Sequence, residues 1–383
     1  MNNKLKSPIT SIESFDDENN TIKYGQSIMQ SFKVSIEVSI LKEININNEE
    51  KNIMLFGIFD GHNGPEVSKY LSLHFSQFLT ENINFINGNY SKALEETFIN
   101  IDYSFRSLQV QLELTKYSPN TEKNTETNEE NKLFYDFLNL FEPRNLEGVN
   151  IAEFCGSCGI VILITEKKVF IANAGSSKCI PVNLKNEIIE DKINKEHTIK
   201  DNIEIERLSK IFGLNNNDVN NNKDKLINDF PLFSTRGFGH LQYKDNIIIN
   251  LEDQLISIKP DIIEIPTEDL NFLIIGNYGC FSNDTNTLSL EKYFLEKYNK
   301  NNEQPKISQI IEEYFADKIK GVEKSETQDN ILNNMASIII EFKHETNIIN
   351  INNCISSEDK EDIHETKDSS KIKNKSEDEE DNL

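Results

Sequence analysis

The stretch Asn52–Gly64 constrains this chain more than any other. Residues Ile53–Phe59 (IMLFGIF) form an unbroken apolar run of strand length, as expected for a strand covered on both faces. The strand expected over Asn52–Asp60 ends in Asp60-Gly61-His62-Asn63-Gly64. Gly61 permits unusual backbone geometry directly after the carboxylate. A helix over Pro65–Leu79 then departs, with Pro65 suited to its first turn. Val67, Tyr70, Leu71, His74, Phe75, Phe78 and Leu79 fall on one face of it. A buried strand thus delivers a carboxylate, and two residues later an imidazole, to one sheet edge. On this segment alone, an Asp-Gly turn carrying a surface histidine is an equal reading.

The flanking chain reads as an α+β domain. Strands are expected at Gln26–Ile40, Phe154–Thr165, Val169–Ala174, Lys178–Val182, Leu255–Ile258, Ile262–Ile265, Phe272–Ile275 and Met335–Phe342. Helices are expected at Lys92–Leu112, Ile203–Ile211, Thr287–Tyr298 and Ile307–Ile319. Polar, low-complexity inserts interrupt the pattern near 115–150 and 214–226. The organisation is an N-terminal arm over 1–20, one domain over 21–345, and an acidic tail over 346–383.

Charge excludes several functions. The 383 residues carry a net −24 at neutral pH. That is the wrong sign for nucleic acid, which selects a basic footprint, and for anionic membrane surfaces. No apolar stretch approaches membrane-spanning length, and Met1-Asn2-Asn3-Lys4 has no signal-peptide core. Five cysteines, an odd number, suit a reducing compartment, cytoplasmic or nuclear. Cys155-Gly156-Ser157-Cys158 has CxxC spacing but no second ligand pair, and reads as two small buried residues.

Eight blocks, the Asp60–Gly64 segment and seven others in the family's order, resemble the metal-dependent Ser/Thr protein phosphatases of type 2C (the PPM family). Asp60-Gly61-His62-Asn63-Gly64 is similar to the family's DGHGG. Tyr24–Val38 resembles its YGxSxMQGWRxxMED block, and Cys155–Gly159, followed by Val161–Leu163, its GSTA turn and the strand after it. Ala172–Lys178 resembles ANAGDSR. His197, Glu206-Arg207 and Phe212-Gly213 resemble HKP…ExxRI…GG. Ser234–His240 resembles SRAFGD, Phe272–Phe281 resembles FLILASDGLW, and Asn333–Ile338 resembles DNMTVI. The resemblance implies a four-layer αββα sandwich of two antiparallel sheets flanked by helices. It also implies a cleft that holds two Mg²⁺ or Mn²⁺ ions, whose water attacks a phosphoserine or phosphothreonine.

Carried over position by position, the resemblance makes Asp60 the bridging metal ligand. Gly61 would bind through its backbone carbonyl and Glu37 through water. His62 would be the general acid for the leaving alkoxide. Lys33 takes the place of a phosphate-binding arginine, offering a point charge instead of a fork. Five positions where the family carries Asp hold Val38, Ser176, His240, Tyr278 and Asn333. Tyr278 is the most damaging replacement, because a phenol is a poor ligand for a hard cation at neutral pH. His240 is expected in a solvent-facing loop. Asp284, six residues after Tyr278, and Asp329, upstream of Asn333, are the candidate substitute acids. The expected function is that of a pseudophosphatase that binds a phosphoprotein, a kinase or a phosphatase, with at most a weak metal site. An active enzyme with an atypical Mg²⁺ or Mn²⁺ site is the alternative.

Overall fold

The computed structural model describes residues 4–46, 52–118, 150–211, 213, 234–281, 288–300, 305–323 and 333–344. The tail 346–383, the second polar insert, nearly all of the first, and both Asp284 and Asp329 lie outside the described residues.

Side-chain parity along β4 (Met54–His62) organises the protein. Met54, Phe56 and Ile58 face one layer, while Leu55 and Phe59 face another. Period-two alternation with both faces apolar requires a cover on each side. One cover is a second sheet and the other is a helical layer. The parity continues past the apolar run, so Asp60 and His62 share the inter-sheet face of Phe56 and Ile58.

The first sheet runs in the order β3-β4-β5-β6-β9. Its strands are β3 (Val38–Ile44), β4, β5 (Gly156–Ile164), β6 (Lys168–Ala174) and β9 (Asp261–Pro266), with short β8 (Phe238–Gly239) on β5. The second runs β1-β2-β11-β10-β7, built from β1 (Lys4–Glu18), β2 (Ile22–Lys33), β7 (Lys178–Asn183), β10 (Leu270–Gly276) and β11 (Met335–Phe342). All pairings are antiparallel. Tyr24 of one sheet meets Phe56 of the other edge-on at 5.1 Å, inside an inter-sheet core of Ile160, Ile162, Leu273, Ile275 and Ile338.

Helices α1 (Glu66–Thr80), α2 (Ile83–Ile86), α3 (Tyr90–Ser104) and α4 (Leu108–Leu114) cover the first sheet with Leu71, Phe75 and Phe98. After α5 (Asn202–Ile211) and the single turn α6 (Tyr278–Phe281), helices α7 (Leu290–Lys300) and α8 (Ile307–Glu323) cover the second with Phe294, Ile311 and Phe315. The result is the expected α+β sandwich of two antiparallel sheets between helical layers.

Four local expectations are corrected. Gln26–Ile40 is not one strand. The chain leaves β2 at Lys33, crosses between sheets over residues 34–37 and enters β3 at Val38. A distant side chain holds that crossing, since Asn334 donates to the carbonyls of Gln30 (2.7 Å) and Ser35 (3.1 Å). Lys92–Leu112 breaks at Phe105–Ser107, where the Ser107 hydroxyl caps α4 by accepting from the Val110 N–H at 3.3 Å. Leu255–Ile258 makes only an isolated bridge, Ser257 to Arg236. Most of the expected arm, Lys4–Glu18, pairs with β2 as β1. Asp16 on that strand accepts from the Ser308 N–H at 2.9 Å, at the start of α8.

One buried ion pair ties the helical layer to the loop after β8. The Lys244 ammonium lies 2.8 Å from Asp102 on α3 and also donates to the Gly237 carbonyl at 2.6 Å. The same Asp102 carboxylate accepts from the Gly239 N–H at 2.8 Å. Removing one partner strands a buried charge. Asp102→Ala is expected to lower the unfolding free energy by about 3–5 kcal/mol, read by urea denaturation. A loss under about 1 kcal/mol would mean that the loop is held by other contacts.

Candidate functional site

The inter-sheet face at the open end of β4 gathers the residues singled out in the sequence. Asp60 lies opposite Val38 on β3 and Cys158 on β5, and His62 lies opposite Gly156. Asp60 is 9% exposed and Glu37 8%. The Gly61 N–H donates to the Glu37 carbonyl at 3.0 Å. A side chain at Gly61 would put its first carbon 2.4 Å from that carbonyl oxygen, so the close approach requires glycine. Asn63 occupies the left-handed region at φ 61°, a conformation asparagine tolerates, and turns the chain into α1.

The second sheet supplies two buried amides. Asn277, immediately after β10, donates to the Asn334 carbonyl at 2.8 Å and accepts from the Ala336 N–H at 3.0 Å. Asn334, immediately before β11, accepts from the Glu37 N–H at 2.9 Å and donates to Gln30 and Ser35. These amides clamp the crossing turn to the ends of β10 and β11. Neither was singled out in the sequence, although a buried asparagine at a strand terminus fits the demand for backbone partners there.

Electrostatics follow from burial. Desolvation pushes the Asp60 carboxyl above the usual carboxylate range, against the pull of His62, Lys33 and a hydrogen bond from Asn277. Burial pushes the His62 imidazole down, with Asp60 opposing. The Glu37 carboxylate lies 2.7 Å from the Lys33 ammonium. Arg236 is committed elsewhere: its guanidinium contacts Glu204 at 2.7 Å, Asp261 at 3.0 Å and the Lys259 carbonyl at 3.0 Å. His197 holds the β6–β7 turn, accepting at Nδ1 from the Gly175 N–H (3.2 Å) while Nε2 faces Asp261 (3.0 Å).

A narrow cleft beside His62 is lined by Ser157, Cys158, Ser234, Arg236 and His240. His240 is not solvent-facing as expected. It is only 4% exposed and packs over Gly156, where a Cβ would sit 2.2 Å from the ring. The missing side chain at Gly156, a long-range contact, makes that burial possible. The ring centroids of His240 and His62 are 6.2 Å apart. Neither His240 nitrogen has a hydrogen-bond partner, and the Phe154 carbonyl faces the ring at a geometry short of a hydrogen bond. Among the described residues, no three His, Cys, Asp or Glu side chains are grouped to hold a metal ion.

The family profile for protein phosphatase 2C matches residues 22–118 and 108–286. The chain belongs to the protein phosphatase 2C family. "Probable protein phosphatase 2C 6" of Paramecium tetraurelia is 27% identical over 343 residues, covering 88% of this chain and 99% of that relative. "Probable protein phosphatase 2C 21" of Arabidopsis thaliana is 26% identical over 299 residues, covering 74% and 79%. Among solved structures, a Toxoplasma gondii phosphatase superposes with a TM-score of 0.58 at 13% identity, over 87% of this chain and 96% of that one. A serine-threonine phosphatase 2C from the same organism gives 0.56 at 13% identity, over 87% and 99%. At those identities the likeness is one of fold.

In this phosphatase 2C fold the sequence-assigned positions converge. Asp60, Gly61, His62, Glu37 and Lys33 share the end of the sandwich with Val38. Tyr278 opens the turn α6, directly after Asn277, and half-buried Asn333 precedes the clamp Asn334. Ser176 is buried with its hydroxyl 3.6 Å from the Cys158 sulfur. Cys155 instead donates to the Asn63 carbonyl at 2.8 Å.

The burial of His240 has a measurable consequence. Desolvation first, then the neighbouring charges of His62 and Lys244, push its imidazole from 6.5 down to about 3. Between those values the unfolded chain binds a proton that the folded chain does not, so stability falls as pH falls. His240→Gln removes this one contribution. The stability lost between about pH 7 and about pH 5 is expected to be about 2 kcal/mol smaller in the variant, measured by denaturant titration at both values. Equal losses in the two proteins would place a proton-accessible imidazole at this position.

Proposed function

We propose that this chain is a pseudophosphatase of the phosphatase 2C fold, acting by binding a signalling partner. The observation that carries the reading is the donor inventory of the cleft. Two hard divalent ions close together demand several carboxylates in near-octahedral oxygen geometry. Among the described residues here the cleft offers two, Asp60 and Glu37, and the second is ion-paired with Lys33. Where the family carries Asp, Val38 offers no donor, Ser176 is buried against Cys158, and His240 and Tyr278 offer imidazole and phenol. Asn333 offers only a neutral amide. This donor set does not fit a two-metal Mg²⁺ or Mn²⁺ centre, and no hydrolytic step is derived through one.

The mode of binding follows from the same charges. A phosphoryl clamp needs cations free to turn toward the ligand. Lys33 is engaged by Glu37, Arg236 by Glu204 and Asp261, and Lys244 by Asp102. This weighs against holding a phosphoserine in the cleft and favours a kinase or an active phosphatase docked on the outer surface. Among the described residues no helix is long and apolar enough to cross a membrane. The free buried thiols Cys155, Cys158, Cys179 and Cys280 fit action in the cytoplasm or nucleus.

The decisive measurement is a calorimetric titration with MnCl₂, paired with hydrolysis of a phosphothreonine peptide. The expected result is no two-ion binding and no turnover above the blank. Binding of two ions with turnover lost in Asp60→Asn would establish the active alternative. The double variant Tyr278→Asp with Asn333→Asp is expected to gain about tenfold or more in Mn²⁺ affinity, because it returns two carboxylates to the cleft; no gain would mean that the cleft is altered beyond its ligands.

A further inference from the structure

The loop that follows β8 holds two isoleucines out in solvent. Ile247 is 98% exposed and Ile248 90%. The loop is clamped from within. At its root the buried Lys244 ammonium is pinned to Asp102 on α3. Across its base the buried Gln254 amide donates to the carbonyls of Asn246 (2.7 Å) and Ile249 (3.2 Å). The Gln254 oxygen accepts from the Asn246 N–H at 3.2 Å. Polar contacts therefore close this loop, and the two isoleucines contribute no packing to it.

More apolar surface adjoins the tip. Asp245, two residues before Ile247, lies 3.7 Å from Arg106, whose guanidinium sits 5.7 Å from the centre of the Tyr103 ring. The short helical turn Ile151–Glu153 packs against α4 and against the turn Leu241–Tyr243, which brings Phe154 to the same corner. Tyr103, Leu108 at the start of α4, and Phe154 are all exposed. Single exposed apolar residues are ordinary, but several large ones around one corner mark an interaction surface. The charges there favour a basic partner. The exposed Asp245 carboxylate is too far from Arg106 for a hydrogen bond and can accept a second cation. Glu153, directly before Phe154, adds another carboxylate. Two copies of a chain carrying a net −24 repel one another.

We propose that this corner of α3, α4 and the loop after β8 is a docking surface for a partner segment that combines large apolar side chains with lysine or arginine. Ile247, Ile248 and Tyr103 supply the apolar contact, and Asp245 and Glu153 select the charge. The proposal deepens the reading of a kinase or an active phosphatase docked on the outer surface, and rests on it.

The test screens the whole chain against a displayed library of random peptides. The selected sequences are expected to combine leucine, isoleucine or aromatic residues with lysine or arginine. Ile247→Ser with Ile248→Ser is expected to weaken the best peptide about tenfold or more, read by fluorescence anisotropy. Exchanging the peptide's basic residues for glutamate is expected to weaken it by about as much, and Asp245→Lys to narrow that preference. Carbene footprinting should label Ile247, Ile248 and Tyr103 in the free protein and show them protected in the complex. A library with no enrichment overturns the proposal, as do selected peptides without basic residues or with equal affinity for the double variant. A dimer in sedimentation that protects the same residues would assign the corner to a second copy, and a free monomer unlabelled there would assign it to this chain itself. Either result overturns the proposal. Turnover of a phosphothreonine peptide would sink the pseudophosphatase reading. An unenriched library without turnover sinks this inference alone.

Discussion

A strand that is apolar on both faces cannot exist at a protein surface, and β4 is such a strand. Its even side chains demand a second sheet and its odd ones a helical layer, so the four-layer arrangement follows from one run of nine residues. The same alternation fixes where chemistry can occur. Asp60 and His62 inherit the parity of Phe56 and Ile58 and point between the sheets, at the one end where the apolar filling stops. A slip of a single residue would turn both toward the helices. The site is therefore a by-product of packing the core, and it persists whether or not the residues around it retain chemistry.

The distinction between scaffold and chemistry explains how far the sequence could be read. Strands with strong apolar runs, such as β5, β6, β10 and β11, stood out because their burial is written into local composition. Val38, Ser176, His240, Tyr278 and Asn333 could be given places in the chain for a related reason, since a motif assigns each position a fixed order. What escaped was decided by contacts distant in sequence. The strand assumed to run on to Ile40 breaks at Lys33 because Asn334, some three hundred residues later, captures the turn. His240 looked like a loop residue because nothing near it in the sequence signals that Gly156 leaves a hollow for its ring. Asn277 and Asn334 carry no periodic signature at all, yet they align the ends of both sheets.

The buried charges repeat one theme. Lys33 with Glu37, Lys244 with Asp102, and Arg236 with Glu204 and Asp261 are each closed pairs or small networks. Such pairs add little net stability over apolar replacements, but they punish any change that removes a single partner. Around this cleft they also consume the local positive charge. A family whose reaction concerns phosphate is represented here by a member whose cleft cations already have carboxylates.

The position of β11 has a consequence for synthesis. It is the last described strand in the chain, yet it sits in the middle of its sheet, between β2 and β10. Until the ribosome has released residues near Phe342, β2 and β10 each present an unpaired edge, and Asn334 is not there to gather the turn at Glu37. Between the synthesis of β10 and that of β11 the nascent chain therefore carries two half-sheets with open flanks, a state prone to wrong pairing. The cleft is completed only when that strand closes the gap, so a truncation before Met335 would remove the clamp at Glu37 along with the strand.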